Sequence, residues 1–363
     1  MSLGKVLHMN GGVGETSYAN NSLFQQKGIL RTKPLKEKVI TDLYGNNQSP
    51  PTIISIADLG CSCGPNTLLM SLEIIEAIDG ICRGSKYKSP EIQIFLNDLP
   101  GNDYNTLFQT LSKFQENLRI KEPSFPVCFF NGAPGSFYER LFATESIHFV
   151  NCSSSLHWLS RLPEGLEDNR GNIYITNTSH TNVLSSYYNQ FQRDFSTFLQ
   201  HRSVEIVSGG SMVLSLMGRK NEDPYCKESG LHFKLLADVI NDLLSEGHIE
   251  EDKLYSFNIP LYTPSPSDIE KLVEEDGCFT IEYVDSFEDD WNESRKDSSV
   301  NDDGFNFMNT VRSVVEPLLL EHFNEGVIIE EIFKRYQKRI ADCMAKEKTT
   351  LISLVACLKR KTK

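Results

Sequence analysis

Basic charge is scarce in this 363-residue sequence: 36 Lys and Arg stand against 49 Asp and Glu, a net charge of −13. Neutralising a phosphate backbone takes a basic face, so nucleic acid and other polyanions are excluded as partners. No apolar run approaches the roughly 20 residues that span a bilayer. Met1 to Asn10 carries no apolar stretch of the kind a secretory signal needs. Nine cysteines are scattered without a pairing framework, which reads as reduced thiols of a cytosolic protein. Cys61 and Cys63 form a C-x-C with no second pair, and H-E-x-x-H and C-x-x-C are missing, so zinc chemistry falls away. There is no internal repeat and no low-complexity tract.

What is present is enough apolar sequence, 39%, to bury a large core. The first half alternates β-branched runs with helical patterns. Ile53 to Leu59, Glu91 to Leu96, Phe125 to Phe130, Ser146 to Val150, Ile173 to Thr176 and Ser211 to Met217 read as strands. Leu68, Leu69, Leu72, Ile75 and Ile78 recur at the helical period. Buried strands alternating with helices predict an α/β fold with a parallel sheet. Beyond Gly218 the pattern changes. Phe233 to Leu244 and Val327 to Ile340 read as amphipathic helices, Phe279 to Val284 and Thr350 to Leu358 as strands, and Ser286 to Gly304 as a polar, mobile loop. The late helices are expected to cap the carboxyl ends of the strands, where an open α/β sheet binds ligands.

Two strand ends carry chemistry. Asp58-Leu59-Gly60-Cys61-Ser62-Cys63-Gly64-Pro65-Asn66 ends a strand, turns through glycines and starts a helix at Pro65. Such a turn lets backbone approach a ligand and favours a phosphate or carboxylate at the helix N-terminus; it is equally what an ordinary strand–helix turn looks like. Its spacing fails G-x-G-x-x-G, and no G-K-[ST] follows, so nucleotide-dependent redox and P-loop readings lack their fingerprints. Asp98 ends the next strand. There an acid can accept both hydroxyls of a ribose, or cap a helix. Acid and glycine loop together point to an adenosine-containing cofactor lying across the strand ends. His157, His180 and His232, and the aromatics Phe24, Phe137, Tyr138, Trp158, Phe233, Tyr262 and Phe307, are candidates for site or core, with core the default.

The motifs occur together in one known family. Met9-Asn10-Gly11-Gly12, Ser17 to Ser22, Ala57 to Asn66, Leu96 to Asp103, Pro134 to Tyr138, Leu156 to Ser160, Phe257 to Pro260 and Val315 to Pro317 resemble, in order and over nearly the whole chain, the plant SABATH methyltransferases. The resemblance implies a Rossmann-like, seven-stranded methyltransferase sheet with an α-helical cap. It implies methyl transfer from S-adenosylmethionine (SAM) to a small carboxylic acid of salicylate, benzoate or jasmonate type, or to a ring nitrogen as in caffeine-pathway members. A non-catalytic acid-binding relative would show a broken cofactor loop or a lost Asp98, and both are intact. The expected division is an N-terminal segment closing the site (1–48), a SAM-binding core (49–218), a mostly helical cap (219–349) holding one core strand (279–284), and the last strand (350–363). A cytosolic homodimer is also implied.

Carried over residue by residue, Tyr18, Ser22, Asp58, Gly60, Cys61, Asn66, Asp98, Leu99, Ser136, Phe137 and Ser153 are expected to line the cofactor. Gln25 and Trp158 are expected to hold the reacting carboxylate. Asn10, Ser154, His157, Leu231, His232, Phe233, Tyr262, Val311, Val314 and Leu351 are expected to shape the acceptor pocket. Asn169, Phe257 and Asn258 match a magnesium site of some members, but Tyr255 stands where an acid is usual. The departures concern the acceptor. Salicylate-type members carry Tyr, Met, Trp, Met and Phe at the positions of Ser154, His157, Phe233, Val311 and Leu351. Four of these five differences remove bulk and predict a roomier or wetter pocket. Ser153 to Trp158 looks jasmonate-like and Asp103 to Gln109 salicylate-like. His157 and Asn10 also occur in xanthine-methylating members, which generally lack Gln25.

Overall fold

Along the central strands, neighbouring residues take turns between two hydrophobic cores. Ile54 and Ile56 enter one core while Ala57 and Leu59 enter the other; Phe149 and Val213 join the first, and Val150, Met212 and Leu214 the second. A sheet buried on both faces needs helices on both faces, and the chain supplies them. In the computed structural model, which describes residues 7–45, 51–84, 88–121, 125–294, 303–324 and 326–362, helices α1 (Leu23–Arg31), α2 (Lys33–Ile40), α3 (Asn66–Arg83) and α4 (Tyr104–Lys121) pack into the first core. Helices α5 (Thr181–Glu205), α6 (Lys227–Ser245), α7 (Glu251–Ser256), α8 (Pro266–Asp276), α9 (Phe305–Phe323) and α10 (Gly326–Lys346) share the second.

Strands β1 (Ile53–Leu59), β2 (Glu91–Asp98), β3 (Cys128–Pro134), β4 (Ile147–Ser153) and β5 (Ile206–Gly218) run parallel. β6 (Phe279–Asp290) and β7 (Thr350–Arg360) are antiparallel additions, giving the order β3-β2-β1-β4-β5-β7-β6. The sheet is therefore mixed. Because β7 runs against β5, with Gly218 opposite Ile352, the start of β7 lies among the carboxyl ends of the parallel strands.

Two expectations are corrected. Ile173 to Thr176 is not a strand. Its apolar side chains are buried, but beneath the helices, with the Ile173 carbonyl accepting the Ile259 amide at 2.8 Å instead of a sheet partner. A short apolar run signals burial, not pairing. Ser286 to Gly304 is not a loop throughout: Ser286 to Asp290 completes β6 in register with β7, and Trp291 is fully buried. Residues 295–302 of that stretch lie outside the described residues.

The helix ends are set by local chemistry. Ser265 and Asp268 form a reciprocal capping box at α8, and Gly277 ends that helix in the left-handed conformation. Pro317 sits inside α9 and has no N–H, so the Ser313 carbonyl four residues earlier loses its helical donor. The Asn10 amide replaces it at 2.9 Å. A helix-disrupting proline thus becomes an anchor for the N-terminal segment.

Candidate active site

A cavity of about 560 Å³ runs along the carboxyl ends of the strands in sheet order. Ser136 and Phe137 follow β3, Asp98 and Leu99 end β2, and Gly60 and Ser62 follow β1. Further along, Ser154 follows β4, Met217 lies at the end of β5, and Leu351 and Ser353 begin β7. The roof is the N-terminal strap, through Met9, Tyr18, Phe24 and Gln25, together with α6 and α9.

The β1–β3 end is built mainly by backbone. Gly60 has φ of 75°, and a Cβ there would collide with the Ser155 side chain, so only glycine fits. Its amide and that of Cys61 both donate to the Asn97 carbonyl at 2.9 Å. Ser62 follows in a left-handed conformation, φ 53°, uncommon for a non-glycine residue, and aims its amide at Asp98 Oδ2, 2.7 Å away. The Leu99 amide donates to Asp98 Oδ1 at 2.7 Å. Burial raises the Asp98 carboxyl to about 6 against the pull of those two amides. Each oxygen keeps a lone pair for another donor. Ser136 and Phe137 are held from behind: the buried Arg202 donates to the carbonyls of Phe137 and Glu139 at 2.8 and 2.9 Å, and pairs with the buried Glu205 at 2.8 Å. Glu205 in turn accepts from the Leu141 and Phe142 amides.

The other end is mostly apolar and aromatic. Trp158 is placed by its neighbours: its carbonyl accepts the Tyr138 hydroxyl at 2.7 Å, and residues 157–159 pair with Pro260 to Tyr262, the Leu159 amide donating to Pro260 and the Tyr262 amide to His157. Phe307, Thr310, Val311 and Val314 form one stripe of α9 facing the cavity. Trp291 stacks on Phe307, with ring centroids 4.2 Å apart. No Lys or Arg lines the cavity among the described residues. The Met217 amide donates to His157 Nδ1 at 3.1 Å. Burial drives both His157 and His232 down to about 3, so both rings are neutral.

Most sequence-predicted residues meet here: Tyr18, Gln25, Gly60, Asp98, Leu99, Ser136 and Phe137, with Ser154, His157, Trp158, His232, Phe233, Val311, Val314 and Leu351. Others do not line the cavity. Asp58 shares its face of β1 with Ile54 and Ile56, so it points to α3, where Thr67 donates to it at 2.5 Å, and Asn151 of β4 donates to it at 2.7 Å. Cys61 is buried in the core beside it. Asn66 donates to the Ser22 carbonyl at 3.0 Å, tying helix start to strap. Ser153 bonds Asn151, and Leu231 packs against the second core. Tyr262 receives a hydrogen bond from Arg219 at 3.0 Å. Asn10 is the strap's pin: besides its bond to Ser313, its side chain reaches Glu316 and the Thr16 carbonyl, and its carbonyl accepts the Tyr18 amide at 2.9 Å.

Asn169 and Asn258 hydrogen-bond each other at 2.8 Å, Asn169 Oδ1 accepts from Ser179, and the Tyr255 hydroxyl faces outward to Glu251. Mg²⁺ seeks oxygen ligands that include a carboxylate. These engaged neutral amides do not fit it. The adenosine-type cofactor does fit: a glycine cradle and a buried carboxylate converge on one end of the cavity.

Ser62, Asn102, Met217, Leu261, Thr310 and Ser353 are among the cavity-lining residues that were missed. The spacing 307, 310, 311, 314 and the strand-end position of Met217 were the available signals; Ser353 needed the antiparallel placement of β7.

Comparisons agree with this geometry. A family model described as SAM dependent carboxyl methyltransferase matches residues 4–361. The chain is 49% identical over 360 residues to the benzoic acid/salicylic acid carboxyl methyltransferase 3 of Petunia hybrida, covering 99% of each chain. It is 46% identical to the salicylate carboxymethyltransferase of Clarkia breweri, covering 100% of both. Among solved structures, loganic acid methyltransferase with SAH superposes with a TM-score of 0.86 at 34% identity, covering 98% of this chain and 99% of that one.

Proposed function

The chain belongs to the SAM-dependent carboxyl methyltransferase family, and from that premise we propose that it makes the methyl ester of a small plant carboxylic acid of salicylate, benzoate or jasmonate type. Bound SAM supplies an electrophilic methyl group on a sulfonium. Asp98, Gly60, Leu99, Ser136 and Phe137 form the end of the cavity that holds it, with Tyr18 closing from the strap. Gln25 and the Trp158 indole offer the acceptor carboxylate neutral N–H donors and leave it a free lone pair.

The observation that carries this reading is that no Lys or Arg lines the cavity among the described residues. A carboxylate is ionised near neutral pH, so no base is needed to create the nucleophile. Attack on a sulfonium neutralises both charges. A cation beside the carboxylate would stabilise the ground state more than the transition state, whereas two neutral donors orient it without that penalty. Alignment then does the work, contributing roughly 7–11 kcal/mol when well arranged. The strap, pinned by Asn10, and α9 keep water out.

The same reading makes the enzyme a cytosolic homodimer. All nine cysteines are free thiols, as a reducing compartment keeps them; sedimentation would report the dimer. The deciding experiment is mass spectrometry of products formed from SAM and a panel of acids and xanthines. Methyl esters are expected. A base-stable N-methyl product with no ester from any acid would overturn the reading.

A further inference from the structure

The indole of Trp158 can serve the carboxylate only from one place, and that place is set by the main chain beneath it. Residues 157–159 pair with Pro260 to Tyr262 through the His157 carbonyl and the Leu159 amide. The two polar main-chain groups of Trp158 itself face the other way, as at any non-hydrogen-bonded pair of an antiparallel bridge. Both are taken by residues tied to the cofactor end. The Trp158 amide donates to the Ser155 carbonyl at 3.0 Å, and the Trp158 carbonyl accepts the Tyr138 hydroxyl at 2.7 Å.

Each of these two residues grips the wall assigned to the cofactor. Tyr138 follows Ser136 and Phe137 in the chain, its amide donates to the Ser136 hydroxyl at 3.2 Å, and its ring meets that of Phe137 edge-to-face with centroids 4.7 Å apart. The Ser155 hydroxyl donates to the Leu59 carbonyl at 3.0 Å, and its side chain fills the space that a Cβ on Gly60 would need. Tyr138 and Ser155 both line the cavity and both are buried. Burial raises the Tyr138 phenol, so it stays a donor throughout the neutral range. Gln25, the other donor to the carboxylate, sits on the strap. The separation of cofactor and Trp158 is therefore set within the core, by these two braces.

We propose that Tyr138 and Ser155 are positioning residues of the methyl transfer: they fix the Trp158 indole, and with it the acceptor carboxylate, at the separation from the cofactor that in-line attack needs. This rests on the reading that Trp158 holds the carboxylate. The oxygen–carbon bond forms as the carbon–sulfur bond breaks, the electron pair of the latter going to sulfur, and the three atoms must be in line. A misplacement of about 1 Å can cost about a hundredfold in rate. A lost brace lets Trp158 and its carboxylate shift together. Each ligand then still binds at its own end, and transfer between them slows.

The test measures single-turnover methyl transfer at saturating SAM in Tyr138→Phe and Ser155→Ala, each alone and combined with Trp158→Phe. The acceptor is whichever of salicylate, benzoate and jasmonate wild type esterifies fastest. Each single variant is expected to lose about ten- to hundredfold in rate, while the half-saturating acid concentration and the Kd of S-adenosylhomocysteine stay within about threefold of wild type. In the Trp158→Phe background no indole N–H is left to place. There the same substitutions should cost no more than about threefold, because residues acting through one group are not additive. A wild-type rate in either single variant, or an equal loss in the Trp158→Phe background, overturns the proposal. If Tyr138→Phe no longer binds S-adenosylhomocysteine, Ser155→Ala, which removes one oxygen, carries the test. If neither binds it, the two residues support the cofactor end alone and the proposal falls. A wild-type rate in Trp158→Phe, or no ester from any acid, brings down the parent reading instead, and is told apart by that.

Discussion

The two ends of the cavity are held by different means. At the β1–β3 end backbone and buried charge do the holding: Asp98 takes two backbone amides, the glycine loop hangs from the Asn97 carbonyl, and Arg202 and Glu205 hold the chain beyond β3. At the β4–β7 end aromatic rings take the place of hydrogen-bond networks. A site for one invariant ligand can be preorganised by backbone, because nothing about that ligand changes. A site whose ligand decides specificity is shaped by side chains, which substitution can vary.

The largest expected effect comes from breaking the support of the first end. Arg202 and Glu205 are fully buried, and removing one partner strands the other charge. Arg202→Met should cost about 3–5 kcal/mol of folding stability, read by urea unfolding. S-adenosylhomocysteine affinity should fall through displacement of Ser136 and Phe137, while the ranking of acids stays unchanged.

Next is pH, on which only the cofactor end should depend. Asp98, raised to about 6, must be ionised to accept ribose hydroxyls. Affinity for S-adenosylhomocysteine should be flat above pH 6 and fall below it, by up to about tenfold per pH unit. His157 and His232, lowered to about 3, do not titrate between pH 5 and 8. The ratio of kcat/KM between two fully ionised acids should therefore be constant over that range.

A smaller effect is expected at the strap, which closes both ends. Asn10→Ala removes the side-chain bonds to Glu316 and Thr16 and should cost about 1–2 kcal/mol. Pro317→Ala returns an N–H to α9 that competes with the Asn10 amide for the Ser313 carbonyl. Faster amide exchange at residues 10–18, in either variant, is the readout.

The same contrast governs what could be read from the sequence. Gly60 and Asp98 were legible because glycine and acid at successive strand ends are demanded by backbone geometry and by one ligand chemistry. Asp58 was misplaced because a single step along β1 turns a side chain from the cavity to α3. Ile173 to Thr176 read as a strand because burial and pairing leave the same apolar signature. Asn10 was expected among the residues shaping the acceptor pocket; its role as a pin depends on a carbonyl freed by Pro317, some 300 residues away, which no local pattern shows. Ser353 reaches the site only through the pairing of β5 with an antiparallel β7. The magnesium match at Asn169, Phe257 and Asn258 came from resemblance alone, and no local pattern shows that Asn169 and Asn258 engage each other.

If the two ends are separable, one calorimetric experiment shows it. S-adenosylhomocysteine is titrated side by side into wild type, Asp98→Ala and Trp158→Phe. Loss of charge-assisted hydrogen bonds should weaken binding to Asp98→Ala by about 1–3 kcal/mol, while Trp158→Phe, which loses only an indole N–H at the acceptor end, should bind within about twofold of wild type. Wild-type affinity in Asp98→Ala, or an equal loss in both variants, would contradict a cofactor end and an acceptor end that act separately.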